Sequence, residues 1–145
     1  MKHSPELWHP APAGHRRHPI LAGYDGSAPS RHALAYAAGL ARRADRWLLI
    51  VRIWRLGGLV PAPLTRHAQA ERLRQLRAEL AETDLTGLDV EIIVRIGDPA
   101  AELLKMAADR RADAIVIGSA HRFRRLAAAP ARLVRHACCP AVVVP

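Results

Sequence analysis

The sequence is poor in aromatic residues, in cysteine and in long apolar runs, and each shortage excludes a class of protein. Three Trp, two Tyr and one Phe among 145 residues mean that a core has to be built from Ala, Val, Leu and Ile. The two cysteines, Cys138 and Cys139, are adjacent and cannot form the disulfide framework of a small secreted protein. No apolar run approaches the roughly 20 residues of a transmembrane helix, and residues 1–19 contain no apolar segment typical of a secretion signal. We therefore expect a cytoplasmic protein without a membrane partner.

Acidic residues are also in short supply, especially toward the end of the chain. Asp and Glu number 13 against 22 Lys and Arg, which gives a net charge of +9. After Asp113 there are five arginines and no acid. Such a field favours anionic partners through a salt-dependent, largely non-specific attraction. A solvated, arginine-rich surface with no particular partner is the alternative. We expect no nucleic-acid partner. A basic protein associated with nucleic acid is a further interpretation that stays open.

The first 18 residues contain four histidines and three prolines but few bulky apolar side chains. This composition predicts a disordered or loosely docked arm, residues 1–18, ahead of a single domain of residues 19–145. The spacing of the histidines matches no metal site of fixed geometry, so no metal ligand is predicted. They are His3, His9, His15 and His18.

Five short apolar runs alternate with four segments of helical periodicity. The predicted strands are residues 20–25, 47–54, 88–94, 114–117 and 141–144, and the predicted helices are residues 28–44, 65–83, 99–111 and 128–136. Ser27 and Asp98 are the expected N-caps of the first and third helices, each followed by a proline in the first turn. In the second helix the leucines form the inward stripe, and the opposite face is charged. The leucines are Leu73, Leu76 and Leu80, and the charged residues are Arg72, Arg74, Arg77 and Glu79.

This alternation predicts an α/β fold, with one doubly wound parallel sheet and helices on both faces. Ligands of such sheets bind beyond the carboxyl ends of the strands, where the strand order reverses. If the first and fourth strands are neighbours, three loops meet there, namely residues 23–27, 53–58 and 118–128.

Four motifs in order resemble the universal stress protein family. They are residues 23–27 (GYDGS), 97–100 (GDPA), 115–119 (IVIGS) and 134–144 (VRHACCPAVVV). The resemblance covers residues 20–145 and implies a Rossmann-like, adenine nucleotide alpha hydrolase-like sheet of strand order 3-2-1-4-5. It also implies a cytoplasmic homodimer, paired through the last strand, Ala141–Val144. This last strand is apolar and lies at a predicted sheet edge, which a chain has to cover or pair.

One subgroup of that family binds ATP and another does not. The family-like loops, together with three arginines in the loop after the fourth strand, therefore supply a set of candidate nucleotide-binding residues. These are Gly23, Tyr24, Asp25, Ile53, Ile117, Gly118, Ser119, His121, Arg122, Arg124, Arg125, Ala127 and Ala128. In the ATP-binding subgroup the fourth strand is followed by a spaced set of glycines and a hydroxyl, because backbone amides have to approach the phosphates closely. Here Gly118 is present, but His121 stands at the second glycine position.

The final glycine and hydroxyl of that pattern are replaced as well. Counting forward reaches Ala131 and Arg132, and counting back from the cysteines reaches Ala127 and Ala128. Losing two charge-assisted contacts weakens ATP binding by about two to four orders of magnitude.

We therefore predict a universal stress protein that acts in the stress response as a non-enzymatic, dimeric, partner-binding module with weak or lost ATP binding. The alternative is an ATP-binding switch in which Arg122, Arg124 and Arg125 replace the glycine loop. No catalytic residue is predicted. Cys138 and Cys139 are interpreted as small buried side chains, and a redox role for them stays open.

Overall fold

The computed structural model describes residues 17–54, 66–119 and 128–145. Strands and helices alternate along the chain. The strands are β1 (Ile20–Gly23), β2 (Leu48–Trp54), β3 (Val90–Ile96), β4 (Ala114–Gly118) and β5 (Ala141–Val144). The helices are α1 (Ala28–Ala44), α2 (Arg66–Leu80), α3 (Pro99–Arg110) and α4 (Ala128–His136). The predicted order of elements is confirmed.

The five strands form one sheet of order β3-β2-β1-β4-β5, as predicted. Every neighbouring pair is parallel. Ile20 pairs with Leu48 on one side and with Ala114 on the other. Strand β1 is therefore central, and the strand order reverses between β1 and β4, which places a ligand crevice at their carboxyl ends.

Each face of the sheet has its own apolar core, because side chains of a strand alternate between faces. Ile20, Leu48 and Ile50 pack on the face covered by α1 and α2. Leu21, Leu49 and Ile115 pack on the face covered by α3 and α4. Helix α1 contributes mainly alanines to the first core, so it approaches the sheet closely.

Both predicted N-caps are confirmed. The side chain of Ser27 accepts a hydrogen bond from the Ser30 amide (3.3 Å), and that of Asp98 accepts one from the Ala101 amide (2.9 Å). Pro29 and Pro99 follow in the first turns, where a missing amide hydrogen is harmless. Asp98 also pairs with Arg132 (2.8 Å), which ties the start of α3 to α4.

Several predicted boundaries are wrong. Strand β1 ends at Gly23 rather than at residue 25, because Asp25 already belongs to the turn before α1. Strand β3 begins at Val90 rather than at Leu88, because the Leu88 amide donates to the carbonyl of Leu85 in a turn (3.1 Å). Strand β3 ends at Ile96 rather than at Val94. Its pairing with β2 ends with the hydrogen bond from the Gly97 amide to the Trp54 carbonyl (3.0 Å). Helix α2 ends at Leu80 rather than near residue 83, since the Thr83 amide bonds to the Leu80 carbonyl in a tighter turn (3.0 Å).

Of the predicted arm, residues 1–16 lie outside the described residues. Arg17 is exposed, yet its carbonyl accepts a hydrogen bond from the indole of Trp47 (2.6 Å). Its guanidinium forms an ion pair with Asp45. In the part of the chain that the structure describes, no helix has the length and apolarity to cross a bilayer.

Candidate functional site

The loop between β1 and α1 forms one wall of the crevice. Asp25 accepts a hydrogen bond from the Ser27 amide (2.8 Å), which makes a compact turn before the helix. Gly26 lies in that turn with a φ of +84°, a left-handed conformation that favours glycine. The Arg31 guanidinium reaches back from α1 and donates to the Gly26 carbonyl (2.7 Å). The loop is therefore held by its own hydrogen bonds.

Asp25 is exposed at the mouth of the crevice. Partial burial alone would raise the pKa of this carboxyl, but hydrogen bonds from Ser27 and Ser30 and the charge of Arg52 outweigh it. The pKa of Asp25 therefore lies below its ordinary value. The group is an anion at neutral pH and repels phosphate rather than attracting it.

A group of side chains that the sequence did not reveal lies next to this loop. The Arg52 guanidinium forms an ion pair with Glu79 of α2 (3.2 Å). The Tyr24 hydroxyl donates to the same carboxylate (3.1 Å). Burial first, and then the bond to Glu79, raise the pKa of Tyr24 above its ordinary value. Tyr24, a predicted ligand residue, thus faces α2 and is bonded to it.

Trp54 extends this group toward α2. The guanidinium carbons of Arg52 and Arg72 each lie 4.4 Å from the centre of its ring, within cation–π range. Arg72 and Glu79 were predicted on the charged face of α2, opposite the leucines. Both nevertheless reach the sheet: Arg72 lies over Trp54, and Glu79 pairs with Arg52 while its side chain stays 44% exposed. The available signal was Arg52 and Trp54 at alternate positions of an apolar strand, which puts them on one face.

The end of β4 forms the other wall of the crevice. A Cβ atom at Gly118 would lie 2.5 Å from both the Pro29 carbonyl carbon and the Ser30 nitrogen. The start of α1 therefore crosses β4 so closely that only glycine fits there. The Ser119 amide donates to the carbonyl of Val144 (2.7 Å), so this backbone group is bonded to β5.

The remaining predicted ligand residues fall into three groups. Gly23, Ile53 and Ile117 lie on the side of α3 and α4, where the two isoleucines join the core and a Cβ at Gly23 would lie 3.0 Å from Ile117. Ala128 is the first residue of α4. The other predicted residues, His121, Arg122, Arg124, Arg125 and Ala127, lie outside the described residues.

The cysteines differ from their interpretation as buried side chains. Cys138 is exposed and Cys139 is half-buried, because α4 ends at His136 and the chain turns at the surface before entering β5. Within the described ranges, no group of three or more His, Cys, Asp or Glu side chains could hold a metal ion. Of the four histidines that were considered as metal ligands in the sequence, His18 is exposed, and His3, His9 and His15 lie outside these ranges.

A doubly wound parallel sheet with a strand order reversal between β1 and β4 defines a Rossmann-like α/β domain. The sequence profile of the universal stress protein family matches residues 16–145. The chain therefore belongs to the universal stress protein family. Among curated protein sequences, no match to this chain was found.

Solved structures have the same fold. A universal stress protein from Archaeoglobus fulgidus in complex with dAMP aligns with a TM-score of 0.67 at 20% identity, over 89% of this chain and 98% of that chain. A family protein from Burkholderia pseudomallei is 28% identical, with a TM-score of 0.64 over 88% of this chain and 95% of that one. A family protein from Arabidopsis thaliana with AMP bound is 16% identical, with a TM-score of 0.58 over 88% and 90% of the two chains.

Proposed function

We propose that this universal stress protein acts in the stress response as a non-enzymatic homodimer that binds partners and holds adenine nucleotides only weakly. The observation that carries the proposal is the position of Gly118. A Cβ there would lie 2.5 Å from the backbone of Pro29 and Ser30. Packing of α1 on β4 therefore requires this glycine whether or not a phosphate binds, and its presence is no evidence for a phosphate loop.

The polar groups that face the crevice support the same proposal. Asp25 is bonded to the Ser27 amide, Arg31 to the Gly26 carbonyl, and the Ser119 amide to Val144. A nucleotide that used these polar groups would first have to break their existing hydrogen bonds. A nucleotide that left the bonds intact would gain no hydrogen bond from the same groups. The negative charge of Asp25 also opposes a triphosphate. These contacts favour weak nucleotide binding, because the polar groups named are already bonded within the protein.

An ATP-binding switch is the second candidate, and a specific observation favours it. The family members from Archaeoglobus fulgidus and Arabidopsis thaliana have the same fold and were solved with dAMP and AMP. In this chain Arg122, Arg124 and Arg125 would hold the phosphates with side chains in place of amides. Such a site gains most of its affinity from the phosphates.

Calorimetric titration with ATP and with AMP, at physiological salt with magnesium, tests the two candidates. If the first is right, ATP binds no more tightly than AMP, because the phosphates find no donors. If the second is right, ATP binds at least about tenfold more tightly, and the double variant Arg124→Ala and Arg125→Ala removes that advantage. Arg135→Ala, on the exposed face of α4, is the control for a general loss of positive charge.

The proposed dimer pairs β5 with its own copy across a two-fold axis. Strand β5 lies at the edge of the sheet and is entirely apolar, and Val143 is 38% exposed there. Strand pairing would satisfy its outer backbone groups and cover this side chain. Sedimentation velocity at micromolar concentration is expected to give a dimer, and a monomer would contradict this part of the proposal.

A further inference from the structure

The two cysteines lie next to each other in the short connection between α4 and β5. They occupy two of the four positions between the last residue of α4 and the first of β5. Cys138 is exposed, whereas Cys139 is half-buried against the core on the α3 and α4 side. The two residues are consecutive in the sequence, so their side chains start from neighbouring Cα atoms. One sulfur is therefore open to a reagent from solvent, and the second is within reach of the first.

The surroundings assign different roles to the two sulfurs. Burial, followed by the neighbouring Cys138 and the charge of Asp113, raises the pKa of the Cys139 thiol. Cys139 is therefore protonated at neutral pH and a poor first nucleophile, because the thiolate is the reactive form. Cys138, exposed to solvent, is the residue that meets an oxidant first.

We propose that Cys138 and Cys139 are an oxidation site for hydroperoxides, which close a reversible disulfide between them and loosen the start of β5. In the first step the Cys138 sulfur attacks the peroxide, the O–O bond breaks, and a sulfenic acid and one water form. In the second step the Cys139 thiol loses its proton as its sulfur attacks the neighbouring Cys138 sulfur, the S–O bond breaks, and the hydroxyl leaves with that proton as a second water. Two thiols lose two hydrogens, and one hydrogen peroxide is reduced to two waters.

A disulfide between neighbouring residues is strained, and this makes it reversible. Successive Cα atoms are about 3.8 Å apart across a trans peptide, whereas disulfides usually join Cα atoms about 4.4–6.8 Å apart. Strained and exposed disulfides are easily reduced and are typical of regulation rather than of structure. We expect the oxidised protein to return to the dithiol in a mild reductant.

Strain at the cysteines acts on β5 because the next residue, Pro140, makes the hydrogen bond that begins the pairing of this segment with β4. The Pro140 carbonyl accepts a hydrogen bond from the Ile115 amide (2.9 Å), and Ala141 pairs with Ile115. Strand β5 has only four residues, so a distortion at Cys139 is transmitted to a large part of it. The inference does not depend on nucleotide binding or on the proposed dimer.

Mass spectrometry tests the chemistry on the full chain. Trypsin releases a peptide that begins at His136 and contains both cysteines of the sequence. After stoichiometric hydrogen peroxide, the wild-type peptide is expected to lose the mass of two hydrogens without cross-linking between chains, and dithiothreitol should reverse this. A peptide that stays reduced, or that forms only interchain disulfides, would overturn the proposal.

Single variants test the order of the two steps. Cys139→Ser is expected to stop at the sulfenic acid of Cys138, which dimedone traps. Cys138→Ser, treated in the same way, should give little or no adduct, because the remaining thiol is half-buried and protonated. An adduct in Cys138→Ser but none in Cys139→Ser would refute the assigned roles.

Hydrogen exchange tests the effect on the strand. In the oxidised protein the Ile115 amide is expected to exchange about tenfold faster than in the reduced protein, because its bond to Pro140 is strained. The amide of Ile93, in β3, is the internal control and should not change. If the disulfide forms while the Ile115 rate stays the same, the coupling to β5 is wrong.

Discussion

The two edge strands of the sheet, β3 and β5, differ in length and in charge. Strand β3 has seven residues and carries Glu91 and Arg95, whereas β5 has four residues and no charge. Glu91 is fully buried and paired with Arg110 of α3 at 2.9 Å. Each edge exposes one large apolar side chain to nearly the same degree, Ile96 at 39% and Val143 at 38%. Exposure alone therefore does not distinguish the edges, but charge does.

Charged side chains on an edge oppose the addition of another strand, and an uncharged edge permits it. Strand β3 is anchored to the molecule by its charges, while β5 presents an uncharged edge of small apolar residues. If the two edges have different roles, equal substitutions on them will have unequal effects. The following three predictions test this from the largest expected effect to the smallest.

The largest effect is expected from a charge at Val143. In the proposed symmetric interface, Val143→Asp would place two like charges near each other and weaken dimerisation about a thousandfold, or ~4 kcal/mol. Ile96→Asp is the matched control on the other edge and should leave the dimer constant unchanged. Sedimentation equilibrium measures both, and equal losses for the two variants would remove the distinction between the edges.

A smaller effect is expected from Arg110→Ala, which removes the guanidinium beside the fully buried carboxylate of Glu91. Breaking a buried pair from one side is strongly destabilising, but Arg110 is 30% exposed, so we expect a loss of about 2 kcal/mol in the free energy of unfolding. Urea denaturation measures it. Arg110→Lys keeps the charge and should recover part of the loss, and unchanged stability in Arg110→Ala would mean that the pair does not anchor β3.

The smallest effect is expected from Ile96→Thr. The side chain is exposed at the end of β3, and threonine keeps the branched shape that strands favour. The free energy of unfolding should change by less than about 0.5 kcal/mol, and the dimer constant should not change. A loss above about 1 kcal/mol would contradict this prediction and mean that the Ile96 side chain makes a stabilising contact despite its exposure.

The fold was predictable from the sequence because its signals are local. Ser27 and Asp98 precede proline at helix starts, and the apolar runs differ clearly from the helical segments, so element order followed directly. The start of β3 was not predictable, since it is set by pairing with β2 and by the turn that contains Leu88. Sequence pattern could not decide between a strand and a turn there.

The candidate site was only partly predictable because its contacts join distant segments. Asp25 lies in the turn after β1, but Arg52, whose charge acts on it, comes from β2, and Glu79, the partner of Arg52, comes from α2. The reason for Gly118 also depends on where α1 crosses β4. A glycine in a family motif was read as a phosphate contact, and only the positions of Pro29 and Ser30 revealed the packing constraint.

One hydrogen bond joins the two regions that the proposals treat separately. The Ser119 amide, at the start of the loop after β4, donates to the carbonyl of Val144 in the edge strand (2.7 Å). A ligand that draws this amide away alters the edge strand, and a strand added at the edge alters the loop. By thermodynamic reciprocity, any free energy of coupling between crevice and edge has the same size in both directions. If the proposed ligand and the proposed dimer are coupled through this bond, a binding assay at one position would report on the other.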